Sequence, residues 1–283
     1  MTLPPAASEL TTLFLSEVDD RLPGRLVGLF LHGSLCWGEF FPGSDLDFVG
    51  LWDQLPSDGD LGHLRAAHEA TKVRFPSLTF DGFHCLAADL AAAPAQIAHR
   101  PAFYQGEFDA AGTIDINPVT WHELAERGIT VRGELPPVFT DLAGLLEFTR
   151  NNLDTYWRGI AKQVDDAGVT VVGGHDVSVS FIGLGPARLH HLLVTGTLTS
   201  KSGAGRYVRD RLDPRWNLIA RESLRLREDP GSASLYEDPA RRGRDAGELL
   251  HWLIDDGCRE RPDGSAQRIE EATVAAQREG EPA

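Results

Sequence analysis

Two aspartates separated by a single leucine, Asp45 and Asp47, stand inside an otherwise apolar stretch of the sequence. Alternate residues of a β-strand point to the same side, so we expect Asp45 and Asp47 to share one face while Leu46 and Phe48 face the core. A carboxylate left unpaired in apolar surroundings is unfavourable by several kcal/mol. Mg²⁺ prefers hard oxygen ligands and typically binds one or two carboxylates together with substrate phosphates. The pair therefore predicts magnesium-dependent chemistry on a phosphate.

A Gly-Ser pair, Gly33-Ser34, precedes the aspartates at the end of the apolar run "RLVGLFLHG". Glycine has no side chain, so its backbone can approach phosphate oxygens closely, and a serine hydroxyl can donate a hydrogen bond to them. We therefore predict that Gly33 and Ser34 lie beside the phosphates of a nucleotide.

The order Leu31-His32-Gly33-Ser34, a short spacer, then Asp45-Leu46-Asp47-Phe48 resembles the nucleotidyltransferase superfamily of DNA polymerase β. That superfamily carries a third carboxylate on a neighbouring strand, and Asp81 in "LTFDGFHCL" matches it. The resemblance implies that Mg²⁺ is held by three carboxylates and that ATP binds at the Gly-Ser turn. The residues so implied are Asp45, Asp47 and Asp81 for the metal, and Gly33, Ser34 and Ser44 for the nucleotide.

The second half contains "ARLHHLLVTGTLTSKSGAGRYV" and "LDPRWNLIARESL", which look like the helical domain of aminoglycoside 3''-adenylyltransferases. In that family an arginine and a lysine contact the triphosphate, and these positions match Arg188 and Lys201. We also expect Ser200 to cap the helix that follows it. A lysine beside a helix N-terminus is a good anion site, which agrees with this role for Lys201.

Three positions depart from this family. Its general base is usually Glu, whereas Asp81 is one methylene shorter, so Asp81 either accepts the acceptor's proton or only binds metal. Phe108 in "QGEFDAAG" replaces a tryptophan that lines the antibiotic site, and it serves either as a wall of the acceptor site or as ordinary core. Asp176, the acid nearest to the position that meets the antibiotic's cationic groups, either binds the acceptor or caps a turn.

Hydrophobic spacing predicts an α+β fold. Strands and helices alternate in a nucleotidyltransferase domain over 1–138, a helical domain follows over 139–258, and 259–283 is predicted to be a flexible tail. Predicted helices cover 7–21, 59–75, 141–166, 186–196, 205–229 and 246–258, with a short one at "WHELAERG". Predicted strands cover 25–33, 45–52, 78–87 and 112–118. The segment 168–185 fits a strand, a loop or a helix start.

The formal net charge of −15 disfavours general nucleic-acid binding and is compatible with a cationic small partner. Three scattered cysteines are too few for a disulfide framework or a zinc site, which favours a reducing cytoplasm. We expect no signal segment, no membrane-spanning stretch and a monomeric protein.

Together the motifs predict an enzyme that moves AMP from ATP to a hydroxyl of an aminoglycoside-like small molecule and releases pyrophosphate. The acceptor is expected to be polycationic or polyhydroxylated. Two alternatives stay open: nucleotidyl transfer to another acceptor, either a different natural product or a protein hydroxyl, and a nucleotide-binding regulator without catalysis.

Overall fold

The structure, a computed structural model, describes residues 3–259, and the chain divides into two compact units, Met1–Asp141 and Leu142–Ala283. The predicted tail begins at the last described residue, and 260–283 lie outside the described residues.

The first unit is built on one six-stranded mixed sheet in the order β5-β4-β3-β2-β1-β6. Strands β2 and β3 run parallel, and the other neighbouring pairs are antiparallel. The strands are β1 Leu26–His32, β2 Leu46–Trp52, β3 Phe80–Leu86, β4 Arg100–Tyr104, β5 Glu107–Gly112 and β6 Ile129–Arg132. The helices are α1 Pro5–Arg21, α2 Asp58–Arg74, α3 Ala87–Leu90 and α4 Pro118–Arg127.

Each face of the sheet packs against its own apolar cluster because alternate strand residues point to opposite sides. Leu46 and Phe48 lie in the cluster that includes α1 and α2, as predicted. Val49 and Leu51 lie in the opposite cluster, which includes Trp121 of α4. Asp47 alternates with Leu46 and Phe48, so its side chain projects from the α4 face of the sheet.

Helix α4 begins with a strong local signal. The Asn117 side chain accepts hydrogen bonds from the backbone N–H groups of Val119 and Thr120, and Pro118 occupies the first helical position. The buried face of this helix carries Trp121, Leu124 and, unusually for an apolar face, a glutamate, Glu123.

The second unit is helical, as expected. Its helices are α5 Leu142–Asn152, α6 Arg158–Ala167, α7 Val169–Gly174, α8 Asp176–Thr195, α9 Lys201–Arg211, α10 Asn217–Glu228 and α11 Pro239–Cys258, with a π-helical turn over Leu153–Trp157 joining α5 to α6. A mixed sheet followed by helices confirms the predicted α+β class.

Three details differ from the sequence-based expectations. The predicted strand 112–118 overlaps β5 only at Gly112, because Asp115 adopts a left-handed conformation with φ +58° in the turn between β5 and α4. The strands at this edge are β4 and β5, which the hydrophobic pattern did not indicate. The helix predicted over 205–229 divides at Pro214, whose ring cannot continue α9.

Helix α8 resolves the ambiguous segment, since 168–185 forms α7 and the first half of α8. It also reaches the length and mean hydropathy, 1.2, of a membrane span, contrary to the expectation that no stretch would. Half of its apolar window is buried within the protein, where it packs against α9, α10 and α11.

Candidate active site

The Gly-Ser turn lies at the end of β1. Gly33 has φ +64° and starts a 3₁₀ helix over Gly33–Trp37 that turns the chain away from the sheet. A Cβ atom added to Gly33 would lie 1.7 Å from Oδ2 of Asp47. Both the left-handed conformation and this close approach require glycine, so the turn is packed directly against the Asp47 carboxylate.

Glu123 of α4 holds this turn in place. Its Oε2 accepts a hydrogen bond from the Gly33 backbone N–H at 2.9 Å, and its Oε1 accepts one from Trp37 Nε1 at 2.6 Å. Arg127, also on α4, places its guanidinium 3.8 Å from the Trp37 ring centroid and so adds a cation–π contact to the same turn. Because Glu123 takes up the Gly33 N–H, that group does not face a phosphate in this structure.

Asp47 and Asp81 are direct neighbours across the parallel pair β2–β3. Adjacent strands are about 4.8 Å apart, so the two side chains project from the same face of the sheet at close range. Asp45 precedes β2 and is exposed, so it is not part of the strand, although its charge acts on both other aspartates. The three predicted carboxylates thus lie at the N-terminal ends of the neighbouring strands β2 and β3.

The electrostatics of these acids show the cost of placing them together. Burial and the carboxylates of Asp115, Asp45 and Glu123 raise the pKa of Asp47 to about 6, although the His32 charge opposes the rise. Burial, followed by the charges of Asp45, Asp47 and Asp115, raises the pKa of Asp81 to about 7. A nearby cation would relieve this repulsion.

His32 supplies part of the missing positive charge. Burial disfavours its charged form, but the Glu123 carboxylate and the charges of Asp47 and Asp115 outweigh burial and raise the pKa of His32 to about 9. Its Nδ1 lies 3.5 Å from Glu123 Oε2. The other strand histidine, His84, is packed in the core, where Trp52 Nε1 donates to its Nδ1 at 3.0 Å.

A tight hairpin turn reaches Asp81 from the other side. Gln105 and Gly106 connect β4 to β5 with φ values of +51° and +80°, the two left-handed residues typical of a type I′ turn. The Gln105 backbone N–H donates to Asp81 Oδ1 at 2.9 Å. This bond favours the charged form of Asp81 and fixes its orientation.

The sequence analysis missed Glu123, Gln105 and Asp115. Glu123 was visible only as part of "HELAE", which lacks the second histidine of a zinc-protease motif. Gln105 lacks the Asn-Gly or Asp-Gly pair that usually marks such a turn. The left-handed Asp115 lies in the segment 112–118, for which the pattern predicts a strand. Burial and the Glu123 charge raise the pKa of Asp115, although the His32 charge opposes the rise.

The two candidate serines differ in their surroundings. Ser34 Oγ is buried and has no hydrogen-bond partner among the described residues. Its contact with a nucleotide remains a prediction. Ser44 Oγ accepts a hydrogen bond from the Phe41 N–H at 3.0 Å and so stabilises the turn before Asp45.

The predicted acceptor residues have structural partners. Phe108 packs against the α2-side core, with the Arg65 guanidinium 5.3 Å from its ring centroid. Asp176 is the first residue of α8 and forms an ion pair with Arg242, with Oδ1 and Nη2 at 2.7 Å. A role for either in binding an acceptor remains a prediction.

Arg188 and Lys201 belong to the second unit. Arg188 is half-buried on α8, and the exposed Lys201 is the first residue of α9. Ser200 caps α9 by accepting a hydrogen bond from the Gly203 N–H at 2.8 Å, which confirms the predicted cap. Contact of Arg188 and Lys201 with a triphosphate remains a prediction.

The donor set suits magnesium in chemistry. Asp45, Asp47 and Asp81 offer hard carboxylate oxygens whose mutual repulsion a divalent cation would offset. Within residues 3–259, however, no group of three or more His, Cys, Asp or Glu side chains is already arranged to hold a metal ion. Mg²⁺ is therefore a proposal based on residue chemistry.

No family model and no curated protein sequence matches the chain. Among solved structures it is similar to the crystal structure of spectinomycin adenyltransferase AAD(9) from Enterococcus faecialis with ATP and spectinomycin. The TM-score is 0.59 at 12% sequence identity, and the alignment covers 86% of this chain and 98% of that one. The chain shares the fold of that structure. The resemblance drawn from the sequence motifs is thereby confirmed at the level of fold.

The similarity to this adenylyltransferase fold extends over most of the chain, well beyond a short motif. At 12% identity, side-chain roles do not transfer from the fold alone, so they depend on the chain's own residues. The adjacent carboxylates on β2 and β3 and the glycine turn against Asp47 are such residues.

Proposed function

We propose that the protein is a Mg²⁺-dependent nucleotidyltransferase that moves AMP from ATP to a hydroxyl of an aminoglycoside-like small molecule. The observation that carries this proposal is the direct pairing of Asp47 with Asp81, beside a glycine turn that tolerates no side chain, in a chain with an adenylyltransferase fold. Because that solved relative contains ATP and spectinomycin, we take ATP as the donor and spectinomycin as the first acceptor to test.

In the proposed reaction the acceptor oxygen forms a bond to the α-phosphorus of ATP, and the bond from that phosphorus to the pyrophosphate oxygen breaks. Asp81 takes the proton of the acceptor hydroxyl as the general base. The Gln105 N–H keeps the Asp81 carboxylate oriented for this transfer.

Asp45, Asp47 and Asp81 would hold the metal, which supplies positive charge to the phosphates when bound. The Gly33 turn and the Ser34 hydroxyl contact the nucleotide, and Glu123 holds that turn. Arg188 and Lys201 would neutralise the pyrophosphate, a role that rests on the family resemblance.

The acidic composition, with a net charge of −15, favours a cationic or polyhydroxylated acceptor over a nucleic acid. We propose that the protein acts as a monomer in the cytoplasm and that its activity modifies an antibiotic or a chemically similar compound.

The test is transfer of label from α-labelled ATP in the presence of Mg²⁺ to spectinomycin or to the larger, polycationic streptomycin. Asp47→Asn is the inactive variant, and Asp53→Asn is its matched control, because Asp53 is an exposed acid just beyond the other end of β2. We expect label on an acceptor with the wild type and Asp53→Asn, and none with Asp47→Asn. Wild-type turnover by Asp47→Asn would refute the assignment of Asp47.

Label on neither antibiotic, with Mg²⁺-dependent ATP binding intact, would refute this acceptor class and leave nucleotidyl transfer to another acceptor. ATP binding that Mg²⁺ does not change would instead favour a nucleotide-binding regulator.

A further inference from the structure

A wide pocket of about 850 Å³ lies within the second unit, between α8, α9 and α11. Its lining comes from these three helices and from Leu212, which follows α9. Arg188 and Lys201, the residues predicted to contact a triphosphate, do not line it. The volume of this α9 pocket is in the range of small-molecule sites, and its lining includes no group assigned to the proposed reaction.

A chain of three polar side chains, one from each helix, forms one side of the α9 pocket. Tyr207 Oη lies 3.0 Å from His190 Nδ1, and His190 Nε2 lies 3.0 Å from Asp256 Oδ2. Because a carboxylate only accepts hydrogen bonds, the proton of a neutral His190 is on Nε2, and the Tyr207 hydroxyl donates to Nδ1. Asp256 Oδ1 also lies 3.4 Å from Arg259 Nη1. His190 is 1% exposed, so this chain ties the three helices together and fixes the rings that line the pocket.

Aromatic rings form much of the apolar surface of the pocket. Trp252 and Tyr207 are both partly exposed, and their ring centroids lie 5.3 Å and 5.8 Å from that of His190. The His191 ring meets Tyr207 edge-on, with the centroids 5.0 Å apart. Partly exposed aromatic faces in a pocket can stack on a flat ring of a ligand. The pocket therefore suits a planar ligand.

His191 supplies a hydrogen-bond acceptor. Its Nδ1 donates to the Thr197 carbonyl oxygen at 3.1 Å. Burial outweighs the effect of this bond and lowers the pKa of His191, so the ring is neutral near pH 7. A neutral imidazole with its proton on Nδ1 has an unprotonated Nε2, and this nitrogen accepts no hydrogen bond from any of the described residues. His191 can thus accept a hydrogen bond from an N–H group of a ligand in the pocket.

The charged groups of the lining leave one cation over. Arg206 Nη2 pairs with Glu228 Oε1 at 2.7 Å, and Arg209 holds the Asp210 carboxylate through two contacts of 2.7 Å. The exposed Arg211 also lines the pocket, and it forms no ion pair within the part of the chain that the structure describes. Its guanidinium can therefore bind an anionic group of a ligand.

We infer that the α9 pocket binds a planar ring that carries an N–H donor and an anionic group, a combination found in purine nucleotides and in aromatic amino acids such as anthranilate. The ring stacks on Trp252 and Tyr207, the N–H group donates to His191 Nε2, and Arg211 binds the anion. The inference does not depend on the proposed function, because none of these residues takes part in the proposed reaction.

The test measures the Kd values of AMP, adenosine and anthranilate for the full-length protein by isothermal calorimetry in buffer without divalent cations. In this buffer the carboxylates of the first unit repel a phosphate, which disfavours AMP at the proposed catalytic site. We expect AMP to bind about three to ten times more tightly than adenosine, which has the same ring and no anion. Trp252→Leu should raise the Kd of AMP by at least about tenfold, because the stacking face is lost.

Two variants separate the anion contact from the acceptor. Arg211→Gln should abolish the preference for AMP over adenosine, and Arg244→Gln, at an exposed arginine of α11 outside the pocket, should retain it. His191→Phe keeps a ring but removes the acceptor, so both Kd values should rise by the same factor. Arg211 is exposed, so its variant keeps the inference testable if a thermal melt shows that Trp252→Leu does not fold.

The remaining outcomes decide the inference. A wild type that binds none of the three probes overturns it, as does wild-type AMP affinity in a folded Trp252→Leu. AMP affinity that falls in Asp47→Asn but not in Trp252→Leu would place AMP at the carboxylates of the first unit and also overturn it. Binding of anthranilate that Trp252→Leu and Arg211→Gln both weaken, without binding of AMP, supports the site and assigns it to aromatic acids.

Discussion

Glu123→Gln tests whether α4 positions the glycine turn for catalysis. The Glu123 carboxylate accepts two hydrogen bonds, one from the Gly33 N–H and one from Trp37 Nε1. Glutamine has nearly the same shape but only one acceptor oxygen, so its NH₂ group would face one of these two donors. The substitution therefore removes a hydrogen bond and a negative charge while it preserves side-chain volume.

The magnitude follows from the burial of this group, of which 3% is exposed. A buried donor left without an acceptor costs about 1–3 kcal/mol, and hydrogen bonds to charged groups are at the upper end of the usual range. We therefore expect the free energy of unfolding to fall by about 1–3 kcal/mol. At about 2–4 °C per kcal/mol, the melting temperature should fall by several degrees.

The functional consequence should be a higher KM for ATP, because the turn that carries Gly33 and Ser34 loses its anchor. Steady-state label transfer gives kcat and KM, and a thermal melt gives stability. Glu126→Gln is the matched control, since Glu126 is exposed on the same helix and should alter neither quantity. A wild-type KM for ATP in a destabilised Glu123→Gln variant would refute the positioning role. A wild-type KM together with a wild-type melting temperature would refute the predicted cost of the lost hydrogen bond.

Three further predictions concern the carboxylates and their neighbours. Asp47→Asn should abolish transfer while the metal-free melting temperature stays the same or rises, because the fold disfavours the Asp47 charge; a marked loss of stability would contradict this. Gly33→Ala should abolish transfer and lower the free energy of unfolding by about 2–5 kcal/mol, the sum of a left-handed alanine and a crowded contact with Asp47, measurable by urea titration. Raised folded-state pKa values of Asp47 (about 6) and Asp81 (about 7) mean that the folded state binds more protons than the unfolded state between about pH 4 and 7, so metal-free stability should fall as pH rises through that range. The raised pKa of His32, about 9, acts in the same direction at higher pH, since its stabilising contribution is complete below pH 6.5 and is lost as the pH passes 9. Melting temperatures from pH 5 to pH 9 check both signs, and the loss of Asp47 in the asparagine variant should flatten the lower part of the profile.

Local patterns determined much of this protein. The alternation of Leu46 and Phe48 with Asp47 placed β2 and its two faces correctly, because successive residues of a strand point to opposite faces and here one face is core and the other carries the carboxylate. The Gly-Ser turn, the capping role of Ser200 and the helical second half were likewise predictable from short stretches of chain. Each of these features depends on residues only a few positions apart.

Tertiary structure decided the features that join distant segments. The sequence could not show that Asp47 and Asp81 are exact neighbours, since the register of a parallel pair depends on packing on both faces of the sheet. Nor could it show that Glu123 binds the Gly33 N–H, a contact across 90 residues, or that Gln105 orients Asp81. The sequence alone identified which groups could do phosphate chemistry, and only the folded chain brought them together, because hydrogen bonding and charge act through space while sequence patterns record only local geometry.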